Sequence, residues 1–144
     1  MDFEQVEDAI IAEIQTAMPD LGTCETYAGQ LEGDLNNLAI TYPAVFVSYG
    51  GSMLDWIDMI NFNEAVVFNL LVCAENLRGQ EAARKDTDTG AYKMIRDVLT
   101  ALTNKDLGLS IEKLKPVKVS LLFITKSIAV YGIEFQTNFD NAYE

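Results

Sequence analysis

The chain has no histidine among its 144 residues. That absence removes the commonest general base and the commonest metal ligand, so neither a Ser-His-Asp nor a Cys-His arrangement can be assembled. Only two cysteines are present, Cys24 and Cys73. Structural zinc needs four thiolate or imidazole ligands, and two sulfurs do not supply them. Cys73 lies in the apolar run FNLLVCA, where a free buried thiol is expected, with a disulfide to the distant Cys24 as the lesser alternative. No apolar run comes near the roughly 18 residues that cross a bilayer, and the start, MDFEQVEDAI, is acidic where a secretory signal would be basic. A cytoplasmic, soluble protein is expected. Neither G-x-x-x-x-G-K-[ST] nor G-x-G-x-x-G occurs, which leaves nucleotide phosphates without a recognisable cradle.

Positive charge is absent from more than half of the chain. Residues 1–77 contain thirteen carboxylates and no lysine or arginine, whereas residues 78–144 hold ten cations and nine carboxylates, within a total of −12. Nucleic-acid binding rests on Lys and Arg neutralising phosphates, so this chain should repel a free nucleic acid. One reading of the imbalance is solubility. The other is that an acidic surface and a mixed surface meet different neighbours, as in a head-to-tail assembly.

What is present forms a readable order of elements. A chain of this length buries roughly 68–70% of its unfolded surface, enough for one domain over residues 1–144 without staples. Phe3, Val6, Ile10, Ile14 and Ala17 recur at three and four residues and predict a helix, with Asp2 and Gln5 resembling a capping box and Pro19 beyond the end. Residues 21–42 are weakly patterned, with a short strand suggested at TCETYAG and a loop or helical turn at LEGDLNNLAI. AVFVSYGG predicts a strand ending in a turn at its two glycines, and EAVVFNLLVCAE, apolar on both faces, a central strand paired with it. Ala91, Ile95, Val98 and Leu102 predict a second amphipathic helix ending near Gly108. After Pro116, VKVSLLFI and SIAVYGIEFQTNF predict two further strands. The expected class is α+β: one mixed, largely antiparallel sheet of four to five strands with two main helices packed on it.

Two stretches look like more than scaffold. ARKDTDTG, residues 83–90, sets Asp86 and Asp88 one residue apart. As a calcium loop it fails, because the fifth, sixth and twelfth positions read Gly90, Ala91 and Asp97. As a phosphotransfer motif it lacks the preceding buried strand. The simpler reading is that Asp86 and Asp88 cap the helix that follows and suit the positive end of its dipole. The carboxylate pairs Glu32 with Asp34 and Asp55 with Asp58 read as solvated surface, and no cofactor or metal is implied.

The other stretch is SMLDWIDMINFN, where Met53, Leu54, Trp56, Ile57, Met59 and Ile60 stand in what should be a short polar connection. Either the strands run longer and these residues join the core, or they form an apolar arm that docks on another subunit with Trp56 as its anchor. Arg78, Arg84 and Lys85, the first cations of the chain, arrive within eight positions on a polar, glycine-bearing segment. They read as a solvated loop or as a surface contact.

The motif order YPAVFVSYGG, CAENLRGQEAARK running into TGAYKMIRDVL, LGLSIEKLKP and a closing AVYGIEFQTNF resembles the tail-terminator family of Mu-like contractile-tailed phages and related prophage particles, over residues 3–139. The resemblance implies a non-enzymatic structural protein without a cofactor. It implies a homo-hexameric ring that caps the tail tube, halts its polymerisation and provides the surface for head docking. The tail tube protein is then the main partner, with sheath and neck proteins as further ones. Neither membrane nor specific nucleic acid is involved, and the setting is the host cytoplasm during assembly and the virion tail afterwards. The family's arginine-bearing loop maps onto Asn76 to Lys85. The alternatives are a neck or head-completion connector, which shares the acidic, ring-forming character, and an unrelated acidic binding module that works as a monomer.

Overall fold

Helix α1 covers Phe3–Ala17 in a computed structural model that describes residues 2–32, 40–75, 90–125 and 128–142. Asp2 holds its start: Oδ1 accepts from the Glu4 amide at 3.0 Å and satisfies one of the free N–H groups of the first turn. Val6, Ile10 and Ile14 are fully buried. Met18, in the C-cap position, closes the buried stripe in place of Ala17, which faces water.

The chain continues through β1 (Thr23–Thr26), β2 (Ala44–Trp56), β3 (Asn61–Glu75), α2 (Ala91–Leu102), β4 (Lys115–Ile124) and β5 (Ile128–Ala142). Among the described residues the strands form one five-stranded sheet in the order β1-β2-β3-β5-β4, with β1 parallel to β2 and the other pairs antiparallel. This is the mixed α+β architecture that the sequence predicts. β3 is its centre: it pairs with β5 from Asn61↔Ala142 to Glu75↔Ile128, and with β2 from Trp56↔Phe62 to Ala44↔Cys73. An apolar strand with neighbours on both sides explains why its sequence reads as buried on alternating faces.

One sheet face carries the main core. Val45 and Val47 of β2, Phe68, Leu70 and Val72 of β3, and Ile133 and Phe135 of β5 pack beneath α1 and α2. The opposite face has a smaller core at one end only, where Leu31, Ala44, Phe46, Cys73, Ile128 and Val130 pack with Tyr27, Ile40 and Tyr42. Tyr27, Leu31, Ile40 and Tyr42 therefore cover that end. Both cysteines are free, Cys73 fully buried, so the thiol reading holds over the disulfide.

Two boundaries differ from expectation. β2 does not stop at its glycines. The register shifts between Tyr49 and Gly51, a bulge that Gly51 accommodates at φ +121, and pairing resumes as far as Trp56. A Cβ at Gly50 would lie 2.6 Å from Asn69 Nδ2 and 3.2 Å from the Val67 carbonyl oxygen, so any larger residue there would have to displace the Asn69 side chain and press on β3. Helix α2 ends at Leu102, six positions before Gly108. Thr103 is already extended, and Asn104 at φ 62 turns the chain so that its amide donates to the Leu114 carbonyl at 2.9 Å. The inward face of α2 is centred on Met94, 1% exposed, with Ala91, Val98, Ala101 and Leu102; Tyr92 is exposed.

Phe68 joins the central strand to this core with zero exposure and an edge contact to Tyr49 at 6.0 Å. Phe68→Ala should cost about 3–5 kcal/mol, read as a lowered urea midpoint at unchanged slope. A loss below about 1 kcal/mol, the range of volume-conserving swaps, would mean that the core is not organised around β3.

Candidate functional site

The hairpin of β2 and β3 outruns the helices that cover the rest of the sheet. Phe3, the first residue of α1, marks the limit: its ring stacks on Tyr49 at 4.2 Å and meets Phe139 at 6.4 Å. Beyond it β2 continues to Trp56, paired by Met53↔Ala65, Leu54↔Glu64, Asp55↔Asn63 and Trp56↔Phe62. β5 runs alongside to its end, with Asn63 Nδ2 donating to Asp140 Oδ1 at 3.0 Å. The result is a three-stranded arm.

Register decides which way each apolar side chain points. Met53 shares a face with Ala65 and Val67, away from the helices, in an open groove that Gly50, Gly51 and Gln136 complete. Leu54 and Trp56 point the other way, and Trp56 lies 4.7 Å from Phe62, ring to ring. That contact leaves Phe62 6% exposed, while Trp56 stays 52%, Met53 77% and Met59 95% exposed; Leu54, Ile57 and Ile60 are exposed as well. The structure thus joins the two sequence readings. The strands do run longer, and the side chains nonetheless stay outside the core.

Asp58 builds the tip. Its Oδ1 accepts from the amides of Ile60 at 2.9 Å and Asn61 at 2.8 Å, and its Oδ2 accepts from Asn61 Nδ2 at 2.8 Å. The Asn61 carbonyl in turn accepts from the Ile57 and Asp58 amides. These donors, the Asn61 side chain foremost, stabilise the carboxylate and hold Asp58 below its ordinary value of 3.8. A fixed turn presents Ile57 and Met59 outward at low entropic cost for any partner that covers them.

Met53, Leu54, Trp56, Ile57 and Met59 therefore fall on one element. Arg78, Arg84, Lys85, Asp86 and Asp88 lie outside the described residues; the N-cap position of α2 itself is Gly90. Sequence reasoning missed a second apolar surface, on β4, where Val117, Val119, Leu121 and Leu122 are all exposed. The sequence marks VKVSLLFI as a strand, and only the sheet order makes it an edge.

The described residues offer little for chemistry. Burial raises the Cys73 thiol to about 12, and burial with the nearby Glu25 charge raises Cys24 to about 11, so neither is a thiolate at neutral pH. Burial, with Cys73 and Glu75 nearby, raises the Tyr42 phenol to about 12. No group of three or more Cys, Asp or Glu among the described residues is arranged to hold a metal ion.

The sequence matches the family model described as "Bacteriophage Mu, Gp37" over residues 2–140. No curated protein sequence matches it. Among solved structures, a chain from the virion of a native gene transfer agent (GTA) particle shares the fold, with a TM-score of 0.59 and 16% identity over 94% of this chain and 95% of that one. At that identity the likeness concerns the fold.

The depressed Asp58 carboxyl gives the tip a pH dependence of known sign. A group lowered in the folded state stabilises it fully above its unfolded value and loses that contribution as pH falls through the folded value. The tip should therefore be ordered at neutral pH and fray below about 3.8. Asp58→Ala should produce the same fraying at neutral pH: faster hydrogen exchange at the Ile60 and Asn61 amides, with the midpoint of global unfolding unmoved. Unchanged exchange would show that the strands alone hold the turn.

Proposed function

We propose that this chain, which belongs to the bacteriophage Mu Gp37 family, is a structural protein of the phage tail that assembles into a ring of six, caps the tail tube, ends its polymerisation and offers the surface for head docking. The observation that carries this reading is the arm. The core beneath α1 and α2 is complete without it, yet a hairpin with a fixed tip holds Met53, Trp56 and Met59 in water. Apolar residues presented together on an extended element fit an interface and serve no purpose in an isolated monomer. A family named for a phage protein and a fold also found in a virion particle support a structural role. In this reading the protein is not an enzyme and takes no cofactor, and its partners are its own copies, the tube protein, and the sheath and neck proteins beside them.

Arg78, Arg84 and Lys85, which come after β3 in the chain, supply the contact that stops the tube. They are the first cations after 77 residues without one, and cations at an interface choose a partner and set register more than they add affinity.

Electron microscopy of the purified protein, alone and with purified tail tubes, tests the reading. Rings that sit on tube ends support it; rings that bind heads and ignore tubes would mark a head-completion protein, and a monomer at every concentration would end it. Trp56→Ala should weaken the ring while the monomer keeps its cooperative melt. Replacing Arg84 and Lys85 together with Glu should leave rings intact and give overlong tails during assembly. Tails of normal length would mean that the tube is recognised elsewhere.

A further inference from the structure

β4 is the last strand of the sheet, and among the described residues no strand pairs with its outer edge. Val119 and Leu121 are in register with Ile133 and Tyr131, which puts them on the helix-bearing face. They are nonetheless 43% and 51% exposed, because α2 packs over β3 and β5 and stops short of the edge. Tyr92 of α2 extends the patch, its ring meeting that of Tyr131 edge-on at 6.2 Å. An open edge with apolar side chains invites another chain.

We propose that the arm of one copy docks on the β4 edge of the next, so that the ring closes through a head-to-tail contact. This rests on the reading of the protein as a ring and names the two surfaces that meet. Charge selects the occupant. The arm exposes Asp55, Asp58 and Asp140 and contains no lysine or arginine. The β4 side carries Lys113, Lys115 and Lys118, with Arg96 on the adjoining helix, against the carboxylates Glu112 and Glu134; Lys115 and Lys118 lie on the sheet face opposite Val119 and Leu121. An apolar arm bearing only carboxylates meets an apolar strand edge at which cations outnumber carboxylates.

Geometry requires the two surfaces to come from different copies. β4 begins opposite Gln136, six register positions along β5 from Ala142 at the arm's end, about 20 Å at 3.4 Å per residue. The tip cannot fold back onto its own edge strand, because β3 and β5 hold it straight. Each copy then offers one arm and one edge, a heterologous pairing of the kind that builds a ring where its rotation closes and a filament where it does not; the ring reading requires closure.

Two variants isolate the contact. Trp56→Asp with Met59→Asp disables the arm, and Val119→Asp with Leu121→Asp disables the edge; all four residues are exposed, and thermal melts establish that each variant folds. Each alone should run as a monomer by light scattering. Mixed, they should form a one-to-one heterodimer and nothing larger, since one intact arm and one intact edge remain. An edge variant that still oligomerises alone, a mixture that stays monomeric, or a monomeric wild type would overturn the proposal.

Should the edge variant fail to fold, a charge exchange replaces it. Asp55→Lys with Asp140→Lys, or Lys115→Glu with Lys118→Glu, should each dissociate the ring, and a chain carrying all four should reassemble; failure to reassemble would overturn the contact. Rings of wild type that ignore tail tubes would end the terminator reading and leave this contact standing. Rings that cap tubes while the mixed variants stay monomeric would end the contact alone.

Discussion

A strand rises about 3.3 Å per residue and a helix 1.5 Å, and much of this molecule follows from that mismatch. β3 and β5 are paired over fifteen residues and span about 50 Å, whereas α1 and α2, of 15 and 12 residues, reach about 22 and 18 Å. Lying side by side on one face, the helices shield roughly half of the strands' length. The shielded half holds Phe68, Leu70, Ile133 and Phe135 at zero exposure. In the other half Phe62, Val66 and Phe139 are still covered, by Trp56 and Phe3 among others, while the outer residues Met53, Leu54, Trp56, Ile57, Met59 and Ile60 stay exposed.

The transition between the halves is built from a few side chains. Phe3 ends the helical cover on Tyr49 and Phe139, and the bulge at Gly50 and Gly51 follows at once. A bulge increases local twist and re-aims the strand beyond it. Placed deep within the core it would disturb the packing of β2 against α1; placed where the cover ends it redirects the arm without that cost. Past the bulge the arm relies on cross-strand contacts, Trp56 on Phe62 and Asn63 to Asp140, and on the Asp58 turn.

How much of this the sequence discloses depends on how local the cause is. The stripe of α1, with Asp2 before it, and the doubly apolar β3 follow from spacing within one element, and the fold class follows from their order. The end of α2 is not legible locally: Gly108 is a stronger signal than Asn104, yet the chain leaves the helix where the Asn104 amide finds the Leu114 carbonyl, a partner ten residues away. The glycines of β2 read as a turn because nothing nearby reveals that Asn69 and Val67 of another strand lie against Gly50. The unusual apolar content of residues 53–60 is legible, but its exposure is set by where α1 begins relative to Tyr49. The open side of β4 is a property of sheet order alone, and its residues resemble those of the central strand.

Two exposed apolar surfaces on one chain carry a hazard, since like can pair with like and the result is aggregation instead of a closed assembly. The charge distribution answers that hazard. An arm–arm contact would bring Asp55, Asp58 and Asp140 of two copies together with no cation within either hairpin to offset them, and like charges brought together in a partly desolvated interface cost several kcal/mol. An edge–edge contact along β4 would add the Lys115 and Lys118 charges of two copies to one interface, and lysine on an edge strand is a common device against strand addition. The remaining pairing, arm on edge, is the one in which the apolar gain is accompanied by attraction. Specificity of this kind comes from penalising the wrong partners. It gives the absence of any cation before Arg78 a role that solubility alone does not require, because solubility would be served as well by acids spread evenly along the chain.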